Sequence, residues 1–157
     1  MHLLLLFQWL ATTRLSAAMS DSTWAFAVVE MVHLLGLALL GGTVMVLGLR
    51  LLEFRLNRRP AAEVAGDLYP YFPTSLSVLI LSGLLLLIDG PLRYYGNAAF
   101  WLKMWLLAAA TIFSVVLNRA VIHSHRGSSA LTTKVAAVTL LLLWLSVGLA
   151  GRAIGFL

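Results

Sequence analysis

From Trp24 to Leu49 the sequence carries no charge except at Glu30, and His33 is the other ionisable side chain in the run. A bilayer core takes about 20 apolar residues to cross, and this stretch is long enough. Lipid offers the backbone no hydrogen bonds, so such a stretch must be helical and must find other helices to pack with. Glu30 and His33 are three residues apart and so share a helix face. An ionisable side chain within a span is costly, and by default it faces a protein interior, a cavity or a cofactor.

Three further apolar runs complete the pattern. The spans are expected at about 24–49, 73–88, 100–122 and 133–150, making an all-α integral membrane four-helix bundle of one domain over 21–157. Hydrophobic residues make up 61% of the 157-residue chain and charged ones only 11%, where soluble domains carry about a quarter charged. Mean hydropathy is +0.96. The formal charge of +5 does not mark a nucleic-acid surface, because the basic residues sit at the ends of apolar runs, where they report topology. There is no cysteine, which removes disulfides, thiolate metal sites, iron–sulfur clusters and covalent haem attachment.

Residues 1–20 read as a short interfacial amphipathic helix. Its run Leu3–Leu10 is too short to span, and Lys and Arg are missing from its start, as a signal peptide would require. Gln8, Thr12, Thr13 and Ser16 form a polar stripe opposite Leu3, Leu6, Phe7 and Leu10, with Trp9 at headgroup depth. Asp21-Ser22-Thr23 supplies an N-cap for the first span. The segment Arg50–Tyr69 reads as a loop, and Asp89-Gly90-Pro91 breaks the chain after the second span.

One side of the membrane receives Arg50, Arg55, Arg58, Arg59, Arg119, Arg126 and Lys134. The other receives Arg14, Arg93, Lys103 and Arg152. The excess of positive charge belongs in the cytoplasm. The expectation is therefore a bacterial inner-membrane protein with both termini periplasmic.

In that topology Glu30 and His33 lie about 9 and 13 Å below the outer start of the first span, at about 1.5 Å per residue. Lys103 and Met104 fall in the opening turns of the third span, and Arg152 ends the fourth, on the same side. His123 and His125 fall at the opposite end of the third span, about 20 Å or more from His33 in depth. They read as loop histidines.

A b-type haem needs an axial imidazole, a slot lined by small and aromatic residues, and cations for its propionates. His33 is the candidate ligand, Gly36, Gly41 and Gly42 the candidate slot, and Lys103 and Arg152 the candidate propionate partners. Glu30 would orient the imidazole or pair with Lys103. Met104, or His33 of a second copy, would take the remaining axial position. A plainer arrangement is open beside it, in which a buried Glu30–Lys103 pair with His33 nearby only fixes helix packing. Breaking such a pair costs about 3–5 kcal/mol. Copper is a third possibility, since thioether and imidazole suit Cu(I), with His33 and Met104 as ligands. The methionines are dispersed, however, and packing is their commoner use.

Three classes of function follow. One is electron transfer through haem b near the periplasmic leaflet, with quinol or a periplasmic redox protein as partner. A second is handling of copper, with a periplasmic copper protein as partner, or of protons. The third is a cofactor-free membrane subunit or scaffold. An enzyme is disfavoured: no nucleophile–base set, phosphate loop or His-Glu-x-x-His motif is present. Small-residue runs at Gly151-x-x-x-Gly155, Ser146-x-x-x-Ala150 and Ala38-x-x-x-Gly42 suit close helix packing or a homo-oligomer.

Several runs carry a resemblance: Trp24…Glu30-x-x-His33 with Gly41-Gly42, Arg50-Leu-Leu, Ser82-Gly83, Asn97-Ala-Ala-Phe100-Trp-Leu-Lys103-Met104, and Trp144…Gly151-Arg152-Ala-Ile-Gly155. Over about residues 20–157 the chain resembles a family of small bacterial four-helix membrane proteins whose function is catalogued as unknown. Gly48 departs from that pattern, which expects an acidic residue there. More distantly the chain is similar to CopD-type copper-resistance membrane proteins and to four-helix cytochromes related to cytochrome b561. The second likeness implies paired histidines from facing helices, and no partner for His33 is visible.

Overall fold

The computed structural model describes residues 2–53, 60–123 and 130–156. Arg55, Arg58, Arg59, His125 and Arg126 of the topology argument lie outside the described residues, as does the side chain of His123. The elements are α1 (His2–Ala11), α2 (Arg14–Asp21), α3 (Thr23–Leu51), α4 (Ala61–Leu68), α5 (Tyr71–Asp89), α6 (Pro91–Tyr95), α7 (Ala98–His123) and α8 (Ala130–Ala153). Four of them, α3, α5, α7 and α8, are long and apolar enough to cross a membrane. Each expected span is present and runs one to three residues further at both ends.

The termini follow local chemistry. Ser22 caps α3, its hydroxyl accepting from Ala25 N at 3.2 Å. Past the other end Glu53 sits at φ 61, in the left-handed region where helices often stop. Asn97 caps α7, its Oδ1 accepting from Ala99 N at 2.9 Å, while its Nδ2 donates to Ile154 O at 3.3 Å and ties α7 to the end of α8. Hydroxyls inside the spans are satisfied within their own helices. Thr43 donates to Leu39 O, Ser75 to Tyr71 O and Ser114 to Ala110 O. That is how an apolar medium tolerates them.

α3 is the central helix, packed on α5 along one side and α8 along the other, with α7 against α8. Leu40, Val44, Leu47, Leu79, Leu140 and Val147 form the shared core. Gly36 lets α5 approach, since a Cβ there would lie 3.1 Å from Val78 Cγ1. Gly48 meets the side chain of Leu141 on α8, at 2.8 Å from such a Cβ. Gly41 and Gly42 meet nothing within 4 Å and, like Ala38, are exposed, so they are not the expected contact surface. The outer faces present Leu35, Leu81, Leu84, Ile112, Leu142 and Leu149. An apolar surface this extensive belongs in lipid.

At one end of the bundle, α1, α2 and α6 cover the helix termini. The expected single interfacial helix is two, because Thr12 and Thr13 turn their hydroxyls back onto Trp9 O and Leu10 O and break the run. Thr13 then caps α2 by accepting from Ser16 N. The polar stripe does not all face water, since Ser16 is buried. Phe7 docks the hairpin into a cluster with Tyr95, Phe100 and Trp101, at ring distances of 5.3, 6.4 and 6.3 Å. At the other end, part of the expected Arg50–Tyr69 loop is the short helix α4, packed on α3 and α7.

Candidate functional site

His33 projects from α3 onto α5, where Ser82 and Gly83 receive it. Its Nδ1 lies 2.9 Å from Ser82 Oγ. The Ser82 hydroxyl lies only 2.6 Å from Val78 O, a pure acceptor, and so donates its one proton there. With that proton committed, Ser82 Oγ can accept from His33 Nδ1–H, in the tautomer that leaves the Nε2 lone pair open. Gly83 makes the approach possible, because a Cβ at that position would lie 3.2 Å from His33 Cε1 and 3.6 Å from Nδ1.

Lys103 projects from α7 across Gly151 of α8, where a Cβ would lie 3.4 Å from both its Cε and its Nζ. It is half-buried and near enough to His33 for the two charges to interact. Among the described residues its ammonium makes no hydrogen bond and no ion pair. Two of the five expected site residues therefore rest each on a glycine of a neighbouring helix, near enough for their charges to interact.

The other three behave differently. Glu30 is exposed and pairs with neither His33 nor Lys103 among the described residues. Three residues along a helix leave an offset of about 60°, so Glu30 sits on the exposed flank of the contact line that His33 occupies. Met104 is half-buried beside Lys103. Arg152 is exposed, with its guanidinium carbon 5.0 Å over the Phe156 ring. His123 closes the opposite end of α7, about 30 Å of helix from Lys103.

Ser82, Gly83 and Gly151 escaped assignment from sequence. A signal existed for Ser82. An intramembrane imidazole needs a partner, and Ser82 lies seven residues in from the end of the antiparallel α5, at nearly the depth of His33. The described residues hold no group of three His, Cys, Asp or Glu able to share a metal.

A bundle of four apolar helices with a serine-anchored histidine and an unpaired lysine between them defines a multi-pass membrane protein with a polar intramembrane site. The chain belongs to the family of unknown function DUF6644, whose model matches residues 6–157. No curated protein and no solved structure matches it.

Proposed function

We propose that this protein holds a b-type haem between its spans and serves in membrane electron transfer, with His33 as axial ligand. The observation that carries the reading is the 2.9 Å contact between His33 Nδ1 and Ser82 Oγ. A histidine that ligates a metal through one nitrogen typically donates its other N–H to an orienting acceptor, and Ser82 is that acceptor here. Lys103 adds a cation without a protein partner, suited to a propionate through a charge-assisted hydrogen bond. When bound, haem supplies a reversible one-electron couple.

Each residue then has a task. Ser82 sets the ring orientation, Gly83 gives the imidazole room, and Lys103 neutralises an acid group in a medium of low polarity. Met104 would be the further protein ligand in this reading, since Met31 and Met45 face outward. Arg152, exposed at the end of α8, is placed for a propionate that reaches the surface. Copper handling has less behind it for the same reason of dispersed methionines. The end bearing α1, α2 and α6 faces the periplasm of a bacterial inner membrane, as the Lys/Arg bias directs. Quinol or a periplasmic redox protein is the partner class.

A second reading rests on the same bond. The His33–Ser82 contact satisfies two polar groups across the α3–α5 interface, and a cofactor-free scaffold would use it for packing alone.

An absorption spectrum of the detergent-purified protein from haem-replete cells, before and after dithionite, separates the two. A Soret band with α and β bands that sharpen on reduction, lost in His33→Ala, is expected. A colourless protein overturns the haem reading and leaves the scaffold.

A further inference from the structure

At the end of the bundle nearer α4, helices α5 and α7 make no substantial contact. The gap leaves a cavity of about 150 Å³, whose walls include Val44, Leu47, Phe72, Leu76, Asn118 and Leu140. It begins about 15 Å along α3 from His33, counting to Thr43, and so is a separate site. An apolar cavity of about this size holds one six-membered ring.

Its polar groups are unequal. The Ser114 hydroxyl donates to Ala110 O at 2.7 Å and accepts from Trp144 Nε1 at 2.9 Å. Thr43 donates to Leu39 O at 2.8 Å. The Asn118 amide, by contrast, makes no hydrogen bond among the described residues. It is only partly buried and can both donate to and accept from a bound molecule. Phe72 adds an aromatic wall, held edge-on by buried Trp144 with ring centroids 6.1 Å apart.

We propose that this cavity receives the headgroup of a membrane quinone. Its ring lies against Phe72, one carbonyl accepts from the Asn118 amide, and the tail leaves between α5 and α7 into lipid. The amide matches both forms of the ligand, donating to a quinone carbonyl or accepting from a quinol hydroxyl. The proposal is independent of the haem reading, since it concerns the opposite end of the bundle and is tested by binding alone.

The test is a titration of the purified full chain with a short-tail benzoquinone, followed by equilibrium dialysis and by quenching of tryptophan fluorescence. Saturable binding is expected, weakened about tenfold in Asn118→Leu, as loss of one hydrogen bond implies, and abolished in Leu76→Phe, which fills the cavity. Should Leu76→Phe fail to fold, Asn118→Leu decides alone, because that amide holds no helix in place. Non-saturable uptake overturns the proposal. So does equal affinity in Asn118→Leu, which would mean an amide merely hydrated at the membrane edge. Equal competition by a plain alkyl chain also overturns it, marking the gap as an acyl-chain groove.

Discussion

His33 Nδ1 and Ser82 Oγ, on adjacent antiparallel helices, lie 2.9 Å apart, and the Ser82 hydroxyl donates to Val78 O. The pair joins α3 to α5 and, where Nδ1 carries the proton, leaves Nε2 open to a ligand. One contact thus connects helix packing to ligand chemistry.

Removing the orienting hydroxyl tests that connection. Ser82→Ala should keep the fold, because serine and alanine differ by one atom, yet weaken haem retention by about 10- to 100-fold, as loss of such orienting partners does. Haem content per protein across a chelating wash measures it. Unchanged retention would reduce Ser82 to a packing residue.

Lys103 should show opposite signs in two assays. Lys103→Leu removes a half-buried cation that has no protein partner, so the apoprotein should melt no lower than the parent. The same variant should retain less haem and give a shifted reduction potential. A strongly destabilised apoprotein would instead mean that the ammonium is held by the protein itself.

Glu30 offers the control. It is exposed on a span and unpaired among the described residues, and an unpaired ionisable group there is costly. Glu30→Gln should therefore leave the spectrum unchanged and the melt no lower. A loss of about 3–5 kcal/mol would restore the buried Glu30–Lys103 pair.

Glycines with and without neighbours should separate cleanly. Gly83→Ala puts a methyl 3.2 Å from His33 Cε1, so the ring must shift and strain its bond to Ser82. The expected cost is about 1–3 kcal/mol. Gly42→Ala meets nothing within 4 Å and should be neutral, or stabilising by up to about 1 kcal/mol through helix propensity. Thermal unfolding in detergent compares them.

Trp144 and Ser114 should act as a unit. Ser114→Ala leaves the buried indole N–H without its 2.9 Å acceptor, a loss of about 1–3 kcal/mol. Combining it with Trp144→Phe should cost less than the sum of the two, and a double-mutant cycle reads the coupling.

The sequence by itself determined the membrane class, the four spans and the cap at Ser22. Long apolar runs in lipid have one backbone solution, and capping depends on residues a few positions away. It also singled out His33 and Lys103, because an ionisable group in a span has few places to go. The tertiary structure decided what those groups touch. The packing line of α3 takes in His33 and leaves Glu30 on its exposed flank, and the register of α3 on α5 brings up Ser82 and Gly83 rather than a second histidine. Hydrophobic periodicity cannot supply that register when a helix is apolar on every face, as these are. The same uniformity hid the gap between α5 and α7, since leucines that face lipid and leucines that line a cavity read alike until the helices are packed.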